Sequence, residues 1–226
     1  MSNYTGKQVV ITGGTGALGQ AVVKTLLEQG ATCHVTWLFE QELEHFELAD
    51  QVTLHQADCS DESAVVKLYG SLDGLWGSIH IVGGFGMSPI RETSLEAFRQ
   101  MQTLNAETCF LTCREAVRTM KMGGRIVNVS ARPVLEPYGG AIAYAASKAA
   151  VASITRCLAD EVKGDGILVN AVVPSILDTP ANRESMPDAN FDSWPKVEQV
   201  ANTISWLASP DNAVTSGTLV PVFGSV

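Results

Sequence analysis

The sequence predicts an α/β fold, a doubly wound parallel sheet of about seven strands with helices on both faces. Three observations predict it. Short β-branched runs alternate with amphipathic segments along the chain, as strands buried on both faces and covered by helices require. Glycine clusters follow the strand runs directly, at the strand ends where such sheets bind ligands. No linker, low-complexity tract or repeat interrupts the pattern, so one domain over residues 1–226 is expected.

Residues 8–12 read as a first buried strand and 17–29 as a helix closed by Gly30. Residues 31–37 and 51–56 are the second and third strands, 60–72 a helix ending near Gly74, and 79–82 the fourth strand. Helical periodicity over 95–122 runs longer than one ordinary helix, which predicts a break near Asn105 and a stop at Gly123-Gly124. Strand 125–129, a long helix over 143–163, strand 167–173, helix 197–208 and strand 218–222 complete the set.

With 46% hydrophobic residues the chain can build a sizeable core. Its net charge of −9, with no Lys/Arg cluster, argues against nucleic acid or a membrane surface as partner. The first apolar stretch, residues 9–11, is too short for a signal-peptide core, and no run approaches the ~18 residues of a membrane span. Five cysteines without framework spacing fit reduced thiols in a cytoplasm. Cys109 and Cys113 can share a helix face, but a metal site needs further ligands, so they read as buried thiols. The four histidines lack ligand spacing, His80 reads as a strand-end residue, and no metal site is expected.

Residues 12–19, Thr-Gly-Gly-Thr-Gly-Ala-Leu-Gly, join the first strand to the first helix. Glycines there permit a tight turn and let backbone approach a pyrophosphate, while the helix N-terminus offers free N–H groups to the anion. An NTPase phosphate loop would continue with Lys and Ser/Thr; here Gln20 and Ala21 follow, so that chemistry fails. No Gly-x-Ser-x-Gly elbow is present, which removes the usual serine-hydrolase reading.

Tyr144 and Lys148 stand four residues apart at the start of the long helix, on one face. A phenol titrates near pH ~10, so using it near neutrality requires a shift of ~3 units, or ~4 kcal/mol. A neighbouring ammonium favours the phenolate and lowers that cost. Such a phenol can give or take an alcohol proton.

With these motifs in order, the whole chain resembles the short-chain dehydrogenase/reductase family, which implies a Rossmann-like fold and NAD(P)-dependent oxidoreductase activity. The resemblance implies that Gly13, Thr15, Gly16, Ala17, Leu18 and Gly19 form the cofactor loop, with Trp37 at the end of the second strand. Asp58, followed by Cys59, matches the acidic residue that contacts adenine in relatives, and Gly83 and Gly84 lie where backbone approaches the adenosine ribose. Asn105 matches the asparagine that anchors a proton-relay water, and Tyr144 and Lys148 the acid/base and its nicotinamide-ribose partner. Pro174, Ile176 and Thr179 fall in the segment that touches the nicotinamide amide. The implied substrate is a small carbonyl/alcohol pair, and the implied assembly a homodimer or homotetramer through residues 107–120 and 145–159.

Four departures from the family pattern qualify this. Thirteen residues before Tyr144, where the family has its catalytic serine, stands Ala131. Ser130 is its neighbour, and one step along a strand reverses the side-chain direction. Ser130 therefore either touches substrate through a distorted strand end or satisfies backbone there, leaving carbonyl polarisation to Tyr144 alone or to a donor such as Tyr138. Asn-Asn-Ala-Gly after the fourth strand becomes Gly83-Gly84-Phe85-Gly86, with Phe85 available to line the pocket. Pro174 is followed by serine in place of glycine. Trp37 and Leu38 stand where relatives signal cofactor choice; no cation is placed for a 2′-phosphate and the nearest acid is Glu40, so of NAD and NADP the lean is to NAD.

Residues 178–194, with Arg183, Met186, Phe191 and Trp194, could fold as a lid over the pocket. Arg183 would then grip a substrate carboxylate or stay solvated. The rival to an enzyme is a dinucleotide-binding sensor or scaffold of the same fold without turnover, motivated by the displaced serine.

Overall fold

The computed structural model describes residues 3–121 and 123–225. Seven parallel strands form one sheet in the order β3-β2-β1-β4-β5-β6-β7. They are β1 (Gln8–Thr12), β2 (Thr32–Trp37), β3 (Thr53–Gln56), β4 (Leu75–His80), β5 (Gly124–Val129), β6 (Ile167–Pro174) and β7 (Leu219–Val222). The helices are α1 (Ala17–Glu28), α2 (Glu62–Gly70), α3 (Leu95–Met101), α4 (Thr108–Thr119), α5 (Ile142–Glu161), α6 (Pro180–Ser185) and α7 (Val197–Ala208).

Period-2 alternation splits the apolar residues between two cores. Val9 and Ile11 of β1 pack with α1 and α7 on one face. Val10 packs with α2, α4 and α5 on the other. Strand order reverses direction between β1 and β4, and there the chain leaves both strands toward the same end of the sheet. A cleft at such a switch point is where this architecture binds ligands.

Three differences from the sequence reading have identifiable causes. β4 runs Leu75–His80 rather than 79–82. Gly77 and Ser78 look like turn residues, but a Cβ at Gly77 would lie 3.1 Å from Val9, so this glycine marks close strand packing rather than a turn. α2 begins at Glu62 because Asp61 caps it, accepting from Ser63 N at 2.9 Å; Ser60 is held outside by Asp58. α6 was not expected: Thr179 Oγ1 accepts from Asn182 N and Pro180 opens the helix.

The long helical run is interrupted by a π-helical turn at Gln102–Glu107, which contains Asn105. The described part of its second half ends at Thr119, and Met122, where the periodicity ends, lies outside the described residues.

Candidate active site

At the end of β1 the chain turns through Gly13 with φ of 66°. A Cβ on Gly19 would lie 2.2 Å from the Gly13 carbonyl oxygen, so α1 starts against the turn only because residue 19 has no side chain. The resulting cavity, about 540 Å³, is lined by Gly13, Thr15, Gly16, Ala17, Leu18 and Gly19, and across the cleft by Gly83. The glycine-turn residues singled out in the sequence thus share one space.

Its outer wall was not foreseen. Gln41, Glu42 and His45 line it, so the acid facing the cavity is Glu42 and not Glu40. Glu42 Oε1 accepts from Leu38 N at 3.3 Å and Phe39 N at 3.1 Å, and Oε2 accepts from Thr15 Oγ1 at 2.6 Å. The signal was present: Glu42 stands three residues after Phe39, the spacing at which a carboxylate reaches back to cap a helical turn.

Trp37 ends β2. Asp58 Oδ1 accepts from Ser60 N and Oγ at 2.8 and 2.7 Å, so one carboxylate oxygen braces the turn before α2. The side chain of Cys59 belongs to the core, where burial raises its thiol to about 11; the sequence expectation of a cofactor contact there is corrected to its backbone at most. Pro174 closes β6, Ile176 is exposed, and the Thr179 hydroxyl is engaged as the α6 cap.

Tyr144 lies in the first turn of α5, half-buried, with the Phe85 ring edge-on at 5.0 Å. Burial holds its phenol well above the ordinary tyrosine range, and Tyr138 adds to this. Lys148 is buried one turn on, its Nζ donating to the Val129 carbonyl at 2.9 Å, and burial draws the ammonium down to about 8.

Asn105, 1% exposed, ties three segments together. Its Oδ1 accepts from Gly84 N at 3.0 Å, and its Nδ2 donates to Gly84 O and to Ser147 Oγ, each at 3.0 Å. Ser147 Oγ donates in turn to the Tyr144 carbonyl. A Cβ on Gly83 would lie 2.5 Å from Asn105 Oδ1 and 3.1 Å from Lys148 Nζ. In this chain Asn105 and Lys148 leave no room for a side chain at Gly83.

Ser130 does not reach the cleft. Its Oγ donates to the Lys148 backbone carbonyl at 3.0 Å, its N donates to Val172 O, and it is 2% exposed. The strand end is extended, with φ of −158° and ψ of 156° at Ala131, so alternation persists and nothing re-aims the hydroxyl. The expectation that Ser130 acts on substrate is corrected to a backbone-bracing role. Arg183, open in the sequence between gripping a substrate carboxylate and staying solvated, is held in the chain itself: its Nε and Nη2 pair with Asp178 at 2.6 and 2.9 Å, and its guanidinium lies 4.8 Å from the Phe191 ring centroid. Asp178 also binds Lys196, and the two cations hold its carboxyl well below the usual range. Trp194 is 5% exposed and packs on Phe191, so it anchors the segment rather than facing substrate.

Comparison with known proteins bears on this arrangement. The sequence matches the family described as short chain dehydrogenase over residues 7–190. It is 30% identical to a cyclic-di-GMP-binding biofilm dispersal mediator protein of Escherichia coli, covering 100% of this chain and 99% of that protein. It is 28% identical to a 3beta-hydroxysteroid dehydrogenase of Mediterraneibacter gnavus, covering 96% of this chain and 82% of that one. The structure of BdcA in complex with NADPH aligns with a TM-score of 0.88 at 26% identity, covering 98% of this chain and 95% of that one.

Proposed function

The chain belongs to the short-chain dehydrogenase/reductase family, and from that premise we propose that it interconverts a small carbonyl compound and its alcohol, with Tyr144 as acid/base. The observation that carries the proposal is that Asn105 and Lys148 crowd Gly83, which lines the glycine-turn cavity, while Tyr144 stands one helical turn before Lys148 on α5.

A nicotinamide dinucleotide fits the cradle, because any Cβ at Gly19 or Gly83 would strike the atoms that shape it. Residues 13–19 would hold its pyrophosphate, Trp37, Asp58, Cys59, Gly83 and Gly84 its adenosine side, and Lys148, Pro174, Ile176 and Thr179 its nicotinamide side. When bound, it supplies the hydride donor or acceptor.

Tyr144, held in its phenol form, donates the proton that an alkoxide oxygen requires; in the reverse direction it must first give that proton up, which Lys148 favours only while charged. With Ser130 turned away, Tyr144 polarises the carbonyl, assisted by Tyr138, half-exposed and near enough to perturb it. Glu42 favours NAD over NADP, since a carboxylate accepts from ribose hydroxyls and repels a 2′-phosphate. The exposed Phe110 on α4 suits pairing with a second copy into a dimer or tetramer. No described helix is long and apolar enough to cross a membrane.

The test is a screen of NADH and NADPH oxidation over ketones, ketoesters and quinones. Tyr144→Phe is expected to lower kcat about 10²–10⁴-fold on any substrate found. Unaltered turnover would remove the assignment, and tight dinucleotide binding without turnover on any substrate would favour the sensor reading.

A further inference from the structure

Behind the cleft, three side chains that the proposed chemistry does not use meet in the core. His80 ends β4, and Cys109 and Cys113 lie one helical turn apart on α4; all are buried. Their ligand atoms lie within 4.8 Å of one another. Cys109 Sγ is 4.0 Å from Cys113 Sγ, which is 3.5 Å from His80 Nδ1. A tetrahedral ion bonded at about 2.3 Å to sulfur and about 2.0–2.1 Å to imidazole sets its sulfurs about 3.8 Å apart and sulfur about 3.6 Å from nitrogen. The two edges at Cys113 are close to those values, and the third, between Cys109 and His80, is no longer than 4.8 Å.

We propose that Cys109 Sγ, Cys113 Sγ and His80 Nδ1 bind a thiophilic divalent ion of the zinc type, with Asn128 Oδ1 as the fourth ligand. That oxygen lies 3.5 Å from Cys113 Sγ, a ligand edge, and 2.7 Å from His80 Nδ1, a hydrogen-bond edge that must open to about 3.4 Å in a tetrahedral site; it accepts hydrogens that ligation removes. Once those hydrogens leave, its lone pairs face the ion. Proton balance is simple: each thiol releases one proton to solvent, and the imidazole stays neutral by carrying its hydrogen on Nε2. There it donates to Ser78 Oγ at 2.8 Å, which donates to the Tyr69 hydroxyl at 2.7 Å. This is the outer partner that orients a metal-bound histidine. Two thiolates neutralise the ion, which keeps the burial cost low.

The polar region is not packed shut. A void of about 10 Å³, bordered by His80, Cys109 and Thr12, adjoins the cluster. Thr12 Oγ1 is the buried side-chain polar atom left without a partner among the described residues. A bound ion would tie α4 to β4 next to the π turn that carries Asn105. The inference does not rest on the hydride-transfer reading.

Elemental analysis of the full chain, expressed and refolded with zinc, is expected to show one zinc per chain. It should fall to background in Cys113→Ser and His80→Leu, while Cys157→Ser, at an exposed thiol elsewhere, retains it. Refolding the unaltered chain with cobalt(II) should give sulfur-to-cobalt charge transfer with tetrahedral d–d bands, a readout independent of whether the variants fold. Zinc far below one per chain with no such bands would overturn the proposal, as would full zinc in folded Cys113→Ser and His80→Leu.

Discussion

The two walls of the cleft differ in how tightly they are constrained. At the β1–α1 turn, Gly13 takes a left-handed backbone and a Cβ at Gly19 has no space, so residue identity is dictated by backbone contact. At the β5–α5 wall and after β6 the same scaffold tolerates change: Ala131 stands beside a serine that braces the Lys148 carbonyl, and Arg183 of α6 is consumed by Asp178. Groups that hold a dinucleotide are fixed by sterics shared with the fold, whereas groups that choose a substrate sit where packing permits substitution. Variants on the two walls separate these constraints.

The largest effect is expected on the constrained wall. Gly19→Ala forces a methyl to 2.2 Å from the Gly13 carbonyl and should destabilise the fold by about 1–3 kcal/mol. Dinucleotide affinity should fall at least ~10-fold, since ~1.4 kcal/mol suffices for that. Thermal unfolding and fluorescence titration with NADH measure both; unchanged affinity would show that the turn is not the phosphate cradle.

On the permissive wall, Ala131→Ser is expected to raise kcat/KM about 10-fold, less than the ~10²–10³ that a native oxyanion donor contributes, because the site has adapted to its absence. Ser130→Ala should leave kcat/KM within ~2-fold and cost about 1 kcal/mol of stability through one lost buried hydrogen bond. If Ser130→Ala instead abolished turnover, the hydroxyl would have to leave the Lys148 carbonyl during catalysis. A smaller change is expected at Glu42→Gln: the NADH-over-NADPH preference should shrink about 3-fold as one charge leaves the wall. An unmoved ratio would dissociate Glu42 from cofactor choice.

The same contrast explains what could be read from sequence. Period-2 and 3.6-residue patterns locate most strands and helices because both report burial, and the glycine turn is legible because its backbone demands admit few residues. β4 was misplaced because Gly77 serves interstrand packing while its composition imitates a turn. Asn105 could be placed on a helix break, but its clamp on Gly84 spans 21 positions and leaves no local trace. Glu42 was recoverable in principle from its capping spacing, whereas the fate of Arg183 depended on Asp178, half a loop away. Strand parity raised the question of Ser130 but left its role open between substrate and backbone; its bond to the Lys148 carbonyl, 18 positions on, leaves no local trace.

The smallest effect is a pH dependence in which activity and stability move in opposite directions. Lys148 is drawn down to about 8 by burial, so its charge, which favours the Tyr144 phenolate, is lost as pH rises through that value. The oxidative rate should fall by about half near pH 8 relative to its plateau below. Stability responds with the other sign. Between about 8 and the unfolded lysine value near ~10.4, the unfolded chain binds more protons than the folded one, so the penalty of a buried charge is relieved as pH rises. From pH 8 to 9 this contributes about 1 kcal/mol of added stability, measurable in urea as the difference from Lys148→Met. Above about pH 10 the trend should reverse, because Tyr144 is raised and stays protonated only in the folded state. A stability that fell with the rate from pH 8 to 9 would mean that the buried Lys148 charge does not set the stability profile, and a rate unchanged across that range would remove its part in turnover.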